Sequence, residues 1–320
     1  MSHQSFEAKK FLVKFLKIAI VLIMLDFIIG HILEYYYFKI RSGLYHNITF
    51  IIDSTKAQTL VFGSSRANHH YVPQIFENKL NTTFYNCGND GIGLIYDAAL
   101  IKAVTARYQP KRILVDLLPN EFSFDESERL SYLLPYKDNP SVRPYILKKS
   151  GTESIKLFAS HIYPYNSLTA SIVVGNIKAI SNSEINSEGY EPLSGMMDNT
   201  NREKLSESHP TIQKKIKVFE ELLDYLNKKN IACYVIISPD YDILVNYQSI
   251  KIAKEFCDRY KNVQMIDLSN DTNYVSNQSL FSDSYHLNNQ GASRFSNDIC
   301  SWIQNLENAT GTVIEKYSIQ

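Results

Sequence analysis

Two short stretches of this chain hold residue types that can open an ester bond. Early on, the apolar run Thr59-Leu60-Val61-Phe62 stops at Gly63-Ser64-Ser65, the pattern of a buried strand running into a turn. Near the far end, Ser282-Asp283-Ser284-Tyr285-His286-Leu287 sets a carboxylate and an imidazole three residues apart, so that one loop can present both. A serine hydroxyl is a weak nucleophile until an imidazole within hydrogen-bond reach takes its proton. The imidazole in turn needs a carboxylate to fix its tautomer and balance its cation. Ser65, His286 and Asp283 therefore read as nucleophile, base and orienting acid. Acyl chemistry also needs donors for the oxyanion that develops. The Gly91 N–H, in the loop Asn86-Cys87-Gly88-Asn89-Asp90-Gly91, and the Asn120 side-chain amide stand at expected strand ends. The Ser65 N–H is a third candidate.

Holding these residues together takes an alternating scaffold. Short apolar runs at 59–62, 83–85, 112–118, 231–237 and 263–266 read as strands. Helical spacing covers 97–108, 212–226 (with Ser208 as cap and Pro210 in the first turn), 247–260 and 289–306. Strands alternating with helices predict a mostly parallel sheet covered on both faces. In such sheets ligands bind outside the carboxyl ends of the strands, which selects the Ser65 turn, the Asn86–Gly91 loop and Pro119-Asn120. The segment 121–207 breaks the rhythm, with helices expected near 154–161 and 166–180 and a polar loop at 182–201. It reads as a mainly helical insertion, or lid, in a catalytic domain of 57–310 followed by a tail, 311–320.

The N-terminus has another character. After residues 1–10, the run 11–33, FLVKFLKIAIVLIMLDFIIGHIL, approaches the roughly 20 apolar residues a bilayer span needs. Lys9, Lys10, Lys14 and Lys17 crowd its start, and Tyr35-Tyr36-Tyr37 follows it, suiting an interfacial aromatic belt. The expectation is a single-pass anchor in the cytoplasmic membrane, preferred to a cleaved signal for want of a small-residue cleavage site. The catalytic domain would lie outside, beyond a juxtamembrane stretch at 34–56. Asp26 is costly at mid-membrane, and is either a tolerated defect or the handle for a partner.

Lys plus Arg and Asp plus Glu both total 33, so no broad field draws nucleic acid, and that partner is set aside. The four cysteines, Cys87, Cys233, Cys257 and Cys300, fit no zinc knuckle or redox pair. They read as buried free thiols, with a Cys257–Cys300 disulfide left open. Arg66 reads as paired with a carboxylate in preference to contacting an acidic substrate. His69 and His70 read as surface or helix-start residues in preference to lining the pocket, and Gly189-Tyr190-Glu191-Pro192-Leu193 as a turn or a substrate contact.

Together the motifs resemble the SGNH (GDSL-type) hydrolase family. VFGSSRANHHYVP is similar to its first block, NCGNDG to its second, VDLLPNEF to its third and DSYHLNNQGA to its fifth, in the family's order from Leu60 to Ala292. Ser64 stands where the first block has Asp, and Glu121 where the third often has Asp. The resemblance implies a flavodoxin-like three-layer α/β sandwich with a five-stranded parallel sheet. It places Ser65, Asp283 and His286 as the triad and Gly91 and Asn120 as oxyanion donors, with no cofactor or metal. The GSSR form is similar to anchored extracytoplasmic branches acting on surface glycans. The expected activity is hydrolysis of an acyl, chiefly acetyl, ester on such a glycan. Two alternatives stand beside it: an O-acetyltransferase using the same triad, and a glycan-binding protein without activity.

Overall fold

The computed structural model describes residues 3–125, 127–180, 188–198 and 201–309. Its elements are α1 (His3–Tyr37), α2 (Leu44–Asp53), β1 (Thr59–Gly63), α3 (Ser65–His70), α4 (Pro73–Leu80), β2 (Phe84–Asn86), α5 (Leu94–Arg107) and β3 (Arg112–Asp116). There follow α6 (Arg143–Ile146), α7 (Glu153–Ala159), α8 (Thr169–Ile180), β4 (Lys204–Ser206), α9 (Gln213–Lys228), β5 (Ala232–Ile237) and β6 (Ile243–Val245). The chain closes with α10 (Gln248–Cys257), β7 (Val263–Asp267), α11 (Thr272–Val275) and α12 (Asn289–Ala309). Two compact units result: Met1–Thr49 with Leu130–Ile185, and Phe50–Arg129 with Asn186–Gln320.

The second unit is α/β. Five strands pair in the order β2-β1-β3-β5-β7, every pair parallel. Counted along the sheet's own strands this is 2-1-3-4-5, the doubly wound order of flavodoxin-like sheets, whose switch point lies between β1 and β3. β1 and β3 are buried along their whole length, as parallel strands covered on both faces must be. Side chains alternate between the faces. Val61, Leu114, Tyr234 and Ile236 pack against Phe76, Phe295, Ile299 and Ile303 from α4 and α12. α9 touches both α5 and α10, and the three form the other helical layer.

Several bounds differ from the sequence expectation. The third strand ends at Asp116, although Leu117 N–H still bonds Ile236 O at 2.9 Å. α5 begins at Leu94, where Glu121 Oε1 accepts the Leu94 N–H at 3.0 Å. The parallel pair β4–β6 was not expected. All four cysteines are free and buried, so the disulfide left open between Cys257 and Cys300 is not made. α10 lies with α9, whereas α12 lies with α3 and α4, so the sheet separates the two thiols.

The first unit is helical and draws in most of the expected insertion: α6, α7 and α8 belong with α1, and 182–187 and 199–200 of the expected polar loop lie outside the described residues. Asp26 has its partners within the chain. It accepts from Ser160 Oγ at 2.6 Å, His161 N–H at 2.7 Å and Ile162 N–H at 3.4 Å. A Cβ on Gly30 would stand 2.5 Å from His161 Cβ, so glycine is what lets that turn approach α1. Tyr37, expected in an aromatic belt, is instead fully buried against Tyr45, Tyr136 and Tyr165. Tyr35 and Tyr36 are exposed.

No helix among the described residues is long and apolar enough to cross a membrane. α1 is a single helix of 35 residues whose consecutive side chains Ile20, Val21, Leu22, Ile23, Met24 and Leu25 are all exposed.

The core sets stability. Leu114, fully buried on the central strand, belongs to the core packed by α4 and α12. Leu114→Ala is expected to cost about 2–5 kcal/mol, read as a lower urea midpoint with an unchanged slope.

Candidate active site

The carboxyl ends of β1, β2 and β3 lead into the Ser65, Gly91 and Asn120 segments, and β1 lies between the other two. Ser65 is the first residue of α3, directly after the strand-end Gly63-Ser64. Its own N–H is therefore among the first-turn donors that have no acceptor inside the helix.

Ser65 Oγ lies 2.7 Å from His286 Nε2 across 221 residues of chain. His286 Nδ1 lies 2.9 Å and 3.0 Å from the two carboxylate oxygens of Asp283. A carboxylate can only accept, so the imidazole proton belongs on Nδ1 and Nε2 is left to accept from the serine hydroxyl. That is the direction a general base needs. Burial works against the Asp283 charge, but bonds from the His286 ring and the Tyr285 and His286 backbone outweigh it, and the carboxyl is held below its ordinary range.

The loop is built to keep this geometry. Asp283 Oδ1 accepts the N–H groups of Tyr285 at 2.8 Å and His286 at 2.9 Å, closing an Asx turn. Ser282 N–H bonds His286 O at 2.8 Å. Asn288 Oδ1 accepts Gln290 N–H at 3.1 Å and Gly291 N–H at 3.0 Å, starting α12. Leu287 N–H donates to His70 Nε2 at 2.9 Å. Burial, then the Arg66 charge and the neighbouring histidines, push His70 well below the ordinary imidazole range, as an acceptor role requires.

Gly91 has φ +70°, which favours glycine, and the Arg129 guanidinium lies where its Cβ would point. Gly88 carries the same loop so close to α3 that a Cβ would stand 2.3 Å from Asn68 N. Asn120 is exposed in the turn after β3, and its carbonyl accepts from Ser123 N–H at 2.9 Å and Phe124 N–H at 3.1 Å. The neighbouring Glu121, at the departure from the family pattern, is buried. It pairs with Lys215 Nζ at 2.6 Å while holding Leu94 N–H, tying the Asn120 turn to the start of α5.

Buried charges gather beside α3 and the ends of β3 and β5. Arg66 pairs with Asp240 at 2.5 Å, as a carboxylate partner was expected, and bonds Ser238 O at 3.3 Å. Asp116 accepts from Tyr71 OH at 2.6 Å and from Ser238 Oγ. His69 and His70 are buried rather than at the surface; their rings stand 5.8 Å and 6.3 Å from that of His286. Sequence reasoning missed Asp116 and Asp240, though both follow the rule that selected Ser65, standing at the carboxyl ends of β3 and β5. The 189–193 segment, with Glu188 before it, is a strap from which 188–191 faces β2 and α3. Glu188 O accepts Asn86 N–H at 3.0 Å, and Tyr190 OH bonds Asn289 Oδ1 at 2.9 Å. No group of metal-ligating side chains is found among the described residues.

No family model matches the chain, and neither does any curated protein. A solved structure described as "a putative platelet activating factor from Streptococcus pneumonia" is similar at 10% identity and TM-score 0.40, covering 91% of this chain and 99% of that one. A likeness at that level says nothing of activity.

Asp116 gives a pH signature. Burial, against the bonds from Ser238 and Tyr71 and the Arg66 charge, pushes its carboxyl up to about 6, above the unfolded value of about 3.9. The folded state then holds the proton longer, so stability falls as pH rises from about 4 to 6 and stays lower above that. Asp116→Asn removes the ionisation. It is expected to flatten this fall and to stabilise at pH 8 by up to about 3 kcal/mol, as read from urea midpoints at pH 4 and 8.

Proposed function

We propose that this chain is a serine-dependent acyl-ester hydrolase of the SGNH type. The observation that carries the reading is the 2.7 Å contact of Ser65 Oγ with His286 Nε2, backed by the Asp283 carboxylate on the other ring nitrogen. Ser65 attacks the ester carbonyl while His286 takes its proton, and the tetrahedral oxyanion is held by the N–H groups of Ser65 and Gly91 with the Asn120 amide. His286 then gives the proton to the leaving alcohol. Water, deprotonated by the same imidazole, cleaves the acyl-enzyme and restores Ser65. The similarity of the GSSR block to glycan-acting branches supports an acyl group carried on a surface glycan.

Ser65→Ala is expected to abolish turnover of p-nitrophenyl acetate and labelling by a fluorophosphonate probe, with circular dichroism unchanged. Asp283→Asn, which leaves the wrong tautomer facing the serine, is expected to lower kcat by roughly 10²–10⁴-fold. Full activity in Ser65→Ala would refute the assignment.

The proposal also places the enzyme on the outer side of the cytoplasmic membrane, held by α1. No helix among the described residues is long and apolar enough to cross a membrane; what supports a tether is the exposed surface of α1. Between 16 and 33 the charged residues are Lys17 and Asp26, and the latter is already bonded to three donors. Apolar side chains exposed at six consecutive positions point to all sides of a helix, and such a surface needs apolar surroundings. The chain is expected to stay in the membrane pellet through alkaline carbonate extraction; release to the supernatant would exclude tethering.

A further inference from the structure

His69 stands four residues after the nucleophile and is not a member of the triad. Its ring is almost fully buried, with side-chain exposure of 8%. Both ring nitrogens face acceptors: Nδ1 lies 2.6 Å from Glu191 O, and Nε2 lies 3.2 Å from Asp90 Oδ1. A neutral imidazole carries one N–H and can satisfy only one of these; the imidazolium satisfies both. Asn68 joins the same pair of segments, its Nδ2 lying 2.9 Å from Asp90 Oδ1 and 3.4 Å from Glu191 Oε2. Glu191 N–H returns a bond to Asn68 O at 3.2 Å.

We propose that protonated His69 is a positioning residue, clamping the Asp90-Gly91 oxyanion loop and the 188–191 strap to the nucleophile helix. The inference rests on the acyl-ester reading above. Asp90 is covalently next to Gly91, so a clamp on its carboxylate fixes where the Gly91 N–H points. The groups facing His69 are Asn68 and His70 from α3, Asp90 from the oxyanion loop, Glu191 from the strap and His286 from the catalytic loop. Burial alone would strip the His69 proton, but the bonds to Asp90 and Glu191 outweigh it and raise its pKa. The Asp90 carboxyl is lowered, chiefly by its bond from His69. As pH rises through the raised His69 value one N–H is lost, a lone pair meets an acceptor oxygen, and one arm of the clamp opens. A misplaced oxyanion donor weakens transition-state binding more than substrate binding, so the loss falls on kcat.

The experiment is the pH dependence of kcat and KM for p-nitrophenyl acetate on the full chain, for wild type, His69→Gln and Asp90→Asn. Wild type is expected to lose kcat on the alkaline side. His69→Gln, which cannot titrate, is expected to lose that alkaline decline and to lower kcat about tenfold or more, with KM within about threefold. Asp90→Asn removes the charge that holds the proton and is expected to move the decline to lower pH. A His69→Gln enzyme that keeps wild-type kcat and its alkaline decline overturns the proposal. So does an Asp90→Asn enzyme whose decline stays in place. Should His69→Gln fail to fold, Asp90→Asn, altered at a half-exposed side chain, decides alone. Wild-type protein that neither turns over ester nor takes the fluorophosphonate label sinks the acyl-ester reading itself. An active wild type with unmoved variants sinks only the clamp.

Discussion

Parallel pairing of five strands forces every carboxyl end to one edge of the sheet, and the candidate site depends on that constraint. Val61 pairs with Leu114, Leu114 with Tyr234 and Val235 with Met265. This fixed register lines up the ends of β1, β3, β5 and β7. The residues that follow those ends, Ser65, Asn120 and Asp240, reach a common rim without any contact of their own having to bring them there. The energetic cause is burial of the apolar faces of β1 and β3, with each fully buried large side chain contributing about 1.5–3 kcal/mol. The triad bond spans 221 residues and supplies only a small part of that. It is a consequence of the sheet and of α12, which carries the 281–288 loop back to the rim.

The buried charges at the carboxyl edge of the sheet are of another kind. Arg66 with Asp240 and Glu121 with Lys215 are ion pairs with side chains no more than a few per cent exposed. Desolvating such pairs costs several kcal/mol per ion before attraction is counted, so apolar replacements of similar shape would serve stability equally well. What the pairs fix is direction. Arg66 joins α3 to the loop after β5, while Glu121 joins the Asn120 turn to the start of α5. Asp116 sits between Tyr71 and Ser238 with its Oδ1 unpartnered. The three pairings are cross-braces among loops that the sheet merely brings near one another, and they match the need of a site whose donors must be in place before the oxyanion forms.

Much of this was legible because it is local. Five apolar runs gave five strands, with ends off by a residue or two, since hydrophobic patterning is felt within a few residues. Ser65, Asp283 and His286 were found through chemistry and spacing, and the structure brings them together. Gly91 and Asn120 stand at strand ends as read, though the exposed Asn120 turn is held through Glu121, a link between segments 27 residues apart in the Leu94 bond. What was not legible is non-local. Nothing around His69 and His70 announces that Asp90, Glu191 and Leu287 will close over them. Nothing around Asp26 announces the N–H groups of 161 and 162. The helices at 153–180 read as a lid because they interrupt the α/β rhythm, yet an interruption in sequence says where a unit leaves the sheet and not what it packs on. Gly30 and Asp26 decided that: one allows close approach to α1, and the other supplies the acceptor.

The two histidines after Ser65 show how one short helix divides its work. His70 is buried where the neutral ring is favoured, and it accepts the N–H of the residue following His286. His69 is nearly as buried, yet meets two oxygens and is held towards its cation. The same side chain is thus pushed in opposite directions at adjacent positions, and the difference lies wholly in partners: a backbone donor for one, a carboxylate and a carbonyl for the other. A helix of six residues thereby presents Ser65 at its first position, fixes the loop of His286 through its last, and reaches the Asp90-Gly91 loop through the one between. Displacement of α3 as a body would disturb all three contacts together. The buried ion pair of Arg66 with Asp240, in the loop after β5, opposes that displacement.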